Sequence, residues 1–174
     1  ALLQEVPNLL VSAGPGPEGD PVLLELQDQI TAAAPHLRWV GYLSTTGVYG
    51  DHGGDWVDET TPLAPSTRRG AARVQAEAAW GAIPGLPLHI FRLAGIYGPE
   101  RTRLIRGVAS QDAVCVQGQP HYTNRIHRQD CAGALMHLMD LENPQPIYVG
   151  VDNDPAERSE MLSWIAEQIQ VPPP

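Results

Sequence analysis

Lysine is absent from this sequence: all 11 basic residues among the 174 are arginine. That excludes Schiff-base catalysis and any proton relay through a lysine amine, because a guanidinium stays protonated at physiological pH. Cysteine is almost absent too. Cys115 and Cys131 allow at most one bridge, which excludes a disulfide framework and the paired-cysteine spacing of a structural zinc site, and reads as two reduced thiols in a cytoplasmic protein. Positive charge is scarce, and a formal net charge of −9 argues against a nucleic-acid or anionic-membrane surface while leaving room for a local basic pocket. No apolar run approaches the roughly 18 residues of a membrane span, and residues 1–15 lack the basic start and apolar stretch of a secretory signal. Disorder is excluded in turn by a hydrophobic content of 43% against 18% charged residues, ample for a core.

Asn8 to Ala13 is a short apolar run that stops at the Gly/Pro-rich stretch Gly14 to Gly19, as a buried strand entering a loop does. Asp20-Pro21 then starts a helix, with Asp20 as the cap, Pro21 at the first helical position, and Val22, Leu23, Leu26 and Ile30 at helical spacing up to Pro35. Leu37 to Leu43 predicts a second buried strand. Beyond Ser44 a long polar loop rich in Gly and Asp runs to Pro65, and loops of that length in compact domains usually carry function. Ser66 or Thr67 caps a helix to about Ala82 with a weak apolar face of Ala71, Val74, Ala78 and Ala79, before a third strand at Leu86 to Leu93.

Strand, helix, strand, helix, strand, with strands apolar on both faces, predicts an α/β fold with right-handed crossovers in one parallel sheet. Further on, the pattern predicts a helix at Arg103 to Val108 and a short strand at Ala113 to Val116. A helix at Cys131 to Leu141 with Leu135, Leu138 and Met139 inward, capped by Asp130, a strand at Pro146 to Val151, and a last helix at Arg158 to Gln170 complete it.

Three stretches carry more than secondary structure: Ser44-Thr45-Thr46-Gly47-Val48-Tyr49-Gly50, Phe91-Arg92-Leu93-Ala94-Gly95-Ile96-Tyr97-Gly98-Pro99, and Arg125-Ile126-His127-Arg128-Gln129-Asp130. In this order, ahead of the strand Tyr148 to Val151, they resemble the extended short-chain dehydrogenase/reductase superfamily in its NAD-dependent epimerase/dehydratase branch. The resemblance implies a Rossmann-like, doubly wound parallel sheet that lacks its first strand-helix-strand unit. Residues 1–99 would be the later part of the dinucleotide-binding domain and 100–174 a smaller substrate-side region, the sequence being truncated at both ends. It also implies NAD or NADP as cofactor, a nucleotide-sugar substrate and a homodimer built on the helices after Asp20 and Ser66.

Residue by residue, the resemblance makes Thr45 the catalytic hydroxyl. The family's Tyr-x-x-x-Lys pair falls, counting back from Glu77, on Arg69 and Arg73, neither of which can do the family's proton chemistry, although Arg73 can still donate hydrogen bonds to a ribose or phosphate. Cofactor contacts fall on Ala13, Gly14, Arg73, Ala94 and Gly95, and substrate contacts on Thr46, Arg125 and His127. No Gly-x-Gly-x-x-Gly turn is present, and in Gly14-Pro15-Gly16-Pro17-Glu18-Gly19 two prolines remove amides that a phosphate cradle needs.

Two other chemistries are disfavoured. Asp51, His52 and Asp55 in a Gly-rich loop have no second histidine at ligand spacing, and Ser44, His127 and Asp130 lack the Gly-x-Ser-x-Gly elbow of a hydrolase. The expected protein is therefore an atypical NAD(P)-binding epimerase/dehydratase, active as an oxidoreductase or sugar-nucleotide modifier only if another group replaces the tyrosine. A non-catalytic dinucleotide-binding, regulatory or scaffold protein is the alternative.

Overall fold

The computed structural model describes residues 2–115 and 120–174. In chain order the strands are β1 (Asn8–Val11), β2 (Trp39–Thr45), β3 (Leu88–Leu93), β4 (Gly95–Tyr97), β5 (Tyr122–Thr123), β6 (Arg125–His127), β7 (Ile147–Gly150) and β8 (Ala156–Glu157). The helices are α1 (Pro21–Ala33), α2 (Arg68–Gly81), α3 (Arg103–Ala109), α4 (Arg128–Met139) and α5 (Arg158–Gln168). The main sheet is four-stranded in the order β1-β2-β3-β7 and wholly parallel. Beside it lie two small pairings, β4 with β6 in parallel and β5 with β8 antiparallel.

Helix starts follow local chemistry. The Asp20 carboxylate accepts from the amides of Val22 at 3.0 Å and Leu23 at 3.2 Å, satisfying donors that have no partner inside α1. Thr67 does the same for α2 by accepting from the Gly70 amide at 3.0 Å. The cap of α4 is His127, whose ring accepts from the Gln129 amide, while Asp130, expected as the cap, sits within the first turn. Its carboxylate there still complements the positive helix end.

Side chains alternate across β2. Val40 and Tyr42 join Val11, Ile30 and Trp80 in one core beneath α1 and α2, and Trp39 points the other way to meet Phe91, Leu135 and Leu138 beneath α4. A third cluster of Val108, Leu162, Ile165 and Ala166 ties α3 to α5. Helix α2 is rotated from its expected orientation: Ala78 and Ala79 are exposed, and the buried side chains are Ala76, Glu77 and Trp80. Trp80 is the helix's largest apolar group, and Glu77 turns inward because a buried arginine meets it. Gly70 permits the close seat, since a Cβ there would lie 2.6 Å from the Gly47 carbonyl oxygen. No strand forms at Ala113 to Cys115, and Val116 lies outside the described residues. That stretch turns its side chains to the small core, where Ala113 and Cys115 pack on the α3–α5 cluster, instead of pairing its backbone.

The long loop closes at a neck. The Ala64 amide donates to the Val48 carbonyl at 3.1 Å. Gly50, at φ +80, approaches Ala64 so closely that a Cβ would sit 1.9 Å from its oxygen. No described helix is long and apolar enough to cross a membrane.

Candidate functional site

Parallel sheets of this kind place ligands beyond the carboxyl ends of their strands. Thr45 ends β2, half-buried, and its hydroxyl oxygen accepts from the Gly47 amide at 3.2 Å, which starts the short 3₁₀ turn Thr46–Val48. Arg73 reaches the same rim from α2. Its Nη1 donates to the Leu43 carbonyl at 2.7 Å, the Tyr42 hydroxyl at 3.1 Å and the Ala13 carbonyl at 3.4 Å, and its guanidinium lies 5.4 Å from the Tyr42 ring centre. Arg73 therefore staples the ends of β1 and β2 to α2. Its Nη2 flanks Gly14, where a Cβ would come within 3.3 Å.

Burial pushes the Tyr42 phenol up to about 12, with the negative charge of Asp20 adding to the shift and the Arg73 cation opposing it. Asp20 is itself buried, and its Oδ2 has no hydrogen-bond partner among the described residues.

Beneath this rim lies a buried polar network. Arg92 on β3 meets Glu77 at 2.8 Å through Nη2 and 3.3 Å through Nε, and donates to the Tyr49 hydroxyl at 2.9 Å. The Ser44 hydroxyl donates to the same Glu77 carboxylate. Burial would drive the guanidinium pKa down, but the Glu77 and Tyr49 hydrogen bonds outweigh it and the net shift is upward. Burial likewise raises the Tyr49 phenol. The network joins β2, the loop neck, α2 and β3, so it fixes how Thr45 and Arg73 sit relative to one another.

A cavity of about 830 Å³ opens beside β4. Five of the eleven arginines line it, Arg101, Arg103, Arg106, Arg125 and Arg158, against one carboxylate, Asp112. Arg125 is engaged: it donates to the Asp154 carbonyl at 2.9 Å and stands 4.0 Å from the Asp152 carboxylate. The side chains of the other four make no hydrogen bond or ion pair among the described residues. Guanidinium groups with no partner among the described residues thus give one cavity a positive lining in a chain of net charge −9.

Of the residues expected at the site, Ala13, Gly14, Thr45 and Arg73 come together at the strand ends, and Gly95 and Arg125 line the cavity. Ala94 is buried and bonds β7 through its amide. Arg69 is exposed on the first turn of α2. His127 caps α4 and meets the Tyr97 ring edge-on at 5.3 Å between centres. Thr46 does not border the cavity. In the Gly14 to Gly19 segment the Gly16 and Gly19 amides bond each other's carbonyls at 2.8 and 3.3 Å, and Pro15 and Pro17 have no amide hydrogen, which leaves no run of free amides for a phosphate. Sequence reasoning missed the arginines on α3 and α5, although Arg101-Thr102-Arg103-Leu104-Ile105-Arg106 is a dense basic run in an acidic chain.

No family model matches the chain. It is 33% identical over 139 residues to the protein YeeZ of Escherichia coli K12, a match covering 78% of this chain and 47% of YeeZ. The chain thus spans about half the length of the curated relatives it matches. Among solved structures, a conserved protein of unknown function from Silicibacter pomeroyi is 45% identical with a TM-score of 0.84, covering 99% of this chain and 61% of that one. A Methylobacillus flagellatus protein, provisionally named an NAD-dependent epimerase/dehydratase, is 32% identical with a TM-score of 0.73, covering 86% of this chain and 54% of its own. The fold alone is shared, at 18% identity and a TM-score of 0.78 over 98% of this chain and 62% of the other, with UDP-glucuronic acid 4-epimerase of Bacillus cereus bound to UDP-glucuronic acid and NAD. Its fold is that of the NAD-dependent epimerase/dehydratase structures, consistent with the resemblance of its motifs to the extended short-chain dehydrogenase/reductase superfamily.

Proposed function

We propose that the chain is part of an atypical NAD(P)-binding protein of the epimerase/dehydratase type that takes a small anionic molecule, of the nucleotide-sugar kind, into its arginine-lined cavity. The observation that carries this reading is the set of unpaired guanidinium groups of Arg101, Arg103, Arg106 and Arg158 around one cavity beside β4. Residues 1–99 are then the cofactor-side portion and 100–174 the substrate-side portion.

The residues present fit one part of a dinucleotide. Ala13 and Gly14 give a rim without bulk at the end of β1, and the Nη2 of Arg73 beside Gly14 has donors that are not spent on the protein among the described residues. A ribose hydroxyl suits them. The Gly14 to Gly19 segment offers the pyrophosphate no run of free amides, because the Gly16 and Gly19 amides bond each other's carbonyls and two positions are proline. When bound, the nicotinamide would supply reversible hydride transfer. What this chain contributes is the Thr45 hydroxyl, a hydrogen-bond donor for a substrate oxygen, and the positive cavity that orients an anion.

A second reading, a non-catalytic binding protein, is favoured by a specific observation. The two positions that hold the family's tyrosine and lysine carry an exposed Arg69 and an Arg73 committed to three protein acceptors. Titration of NAD(H) and NADP(H) by calorimetry, into this chain and into the chain extended upstream, tests both. Binding by the extended form, followed by turnover of a nucleotide sugar, supports the enzyme. Binding without turnover leaves the binding protein, and no binding by either form sinks the dinucleotide reading.

A further inference from the structure

The last strand of a sheet presents backbone groups that have no partner strand, and proteins cover such groups. Strand β7 is outermost in the main sheet, and its Val149 amide donates to the Glu59 carboxylate at 2.9 Å. Glu59 belongs to the long loop whose neck closes between Val48 and Ala64. The same loop makes a second outside contact. Gly54, at φ +95, lies against the Tyr122 ring so closely that a Cβ would stand 3.1 Å from its edge carbons. Tyr122 is on β5, which pairs with β8, so one loop touches both the main sheet and this smaller pairing.

The loop's interior is bonded to itself and buries little. Asp51 accepts from the Gly53 amide at 2.8 Å, and the Asp55 amide donates to the His52 carbonyl at 3.1 Å. The Asp58 carboxylate accepts from the Thr60 amide at 2.9 Å and the Thr61 hydroxyl at 3.2 Å. Yet Gly53 to Trp56 and Asp58 to Thr60 are all exposed, Trp56 at 87%. Apolar burial therefore contributes little to holding the loop down, which leaves the Glu59 and Gly54 contacts to do so. A self-bonded loop with few buried contacts opens as a unit at small cost.

We infer that residues 50–64 form a clasp, fastened by Glu59 on β7 and by Gly54 on Tyr122, which couples the main sheet to the β5–β8 pairing. That pairing carries one wall of the arginine-lined cavity. Thr123 ends β5, Asn124 and Arg125 follow it, Arg158 follows β8, and all four line the cavity. Fastened, the clasp fixes that wall against the sheet; released at either end, it loosens both. The clasp does not depend on what the cavity binds.

Amide hydrogen exchange read by NMR, on the wild-type chain and three variants, tests the clasp. The Val149 amide reports the β7 end. The Arg158 amide, which donates to the His121 carbonyl at 2.8 Å, reports the β5–β8 pairing. Glu59→Ala should speed exchange at Val149 and, through the loop, at Arg158 by about fivefold, the scale of one exposed hydrogen bond. Glu59→Gln, which keeps an acceptor oxygen, should recover most of that change. Coupling is reciprocal, so Tyr122→Ala should speed exchange at Val149 although the substitution is on β5. Cleavage by chymotrypsin between Trp56 and Val57 should rise in step in Glu59→Ala and Tyr122→Ala, because it reads the open population of the loop. Unaltered Val149 exchange in Tyr122→Ala, or unaltered Arg158 exchange in Glu59→Ala, overturns the coupling and reduces Glu59 to a local cap on the sheet edge. Unaltered cleavage after Trp56 in both variants overturns the clasp altogether.

Discussion

The Arg92 guanidinium and the Glu77 carboxylate meet at 2.8 Å with their side chains only 4% and 5% exposed, one from the middle of the sheet and the other from the helix above it. Neither charge is tolerable there alone. Taking each out of water costs several kcal/mol, about matched by their attraction and by the added bonds from Ser44 and Tyr49. The pair is therefore a device for setting the rotation of α2 more than a large source of net stability.

Its removal is asymmetric, and that gives the first prediction. Glu77→Ala leaves the Arg92 charge buried without a carboxylate and lowers stability by about 3–5 kcal/mol, measured by urea unfolding with linear extrapolation. The double variant Glu77→Leu with Arg92→Met recovers most of that loss. A single variant that costs less than about 1 kcal/mol would show the pair to be solvated in solution.

Arg73 and Arg69 lie four residues apart on one helix and behave differently. Arg73→Met leaves the Leu43 and Ala13 carbonyls and the Tyr42 hydroxyl without their shared donor, and lowers stability by about 1–3 kcal/mol. Arg69→Ala changes it by no more than about 0.5 kcal/mol, because the side chain is exposed. Thermal unfolding of the two variants side by side decides the matter, and equal effects would dismiss the staple.

Much of the main sheet was legible because β1, β2 and β3 are apolar on both faces and the helix caps at Asp20 and Thr67 are explicit in the chain. What failed did so for tertiary reasons. The rotation of α2 depends on where Arg92 places its charge, 15 residues past Glu77, and helical spacing of alanines carries too little apolar weight to compete with Trp80. The clustering of Ala13, Gly14, Thr45 and Arg73 was legible only through the family resemblance. The anion cavity was not, since it assembles Arg158 with arginines more than fifty positions earlier, a proximity created by α3 packing on α5.

Glu157 caps α5 and gives a pH signature. Its carboxylate accepts from the Ser159 hydroxyl, from the amide of His121 at 3.2 Å, and from those of Ser159 and Glu160 at 2.8 and 3.1 Å, which brings its pKa from 4.5 to about 2. The folded value lies below the unfolded one. The ionised cap therefore stabilises the protein fully above pH 4.5, and its contribution fades as the pH falls toward 2. Melting temperatures of wild type and Glu157→Gln should differ above that window and converge within it; a difference that is constant with pH would remove the carboxylate's charge as the cause.

The cavity arginines divide by what already holds them, and affinity and stability should divide with them. Arg103 and Arg106 project from α3 with no protein partner among the described residues, whereas Arg125 is bonded to the Asp154 carbonyl and stands near Asp152. Arg106→Ala should therefore weaken inorganic pyrophosphate by roughly tenfold, the order of one charge-assisted hydrogen bond, with unfolding unchanged within about 0.5 kcal/mol. Arg125→Ala should lower both affinity and stability, because it also releases the segment that runs from β7 to β8. Calorimetric titration and urea unfolding of the same two preparations separate these effects. If Arg106→Ala left pyrophosphate binding intact while Arg125→Ala abolished it, the anion would have to sit against β6, and α3 would drop out of the site.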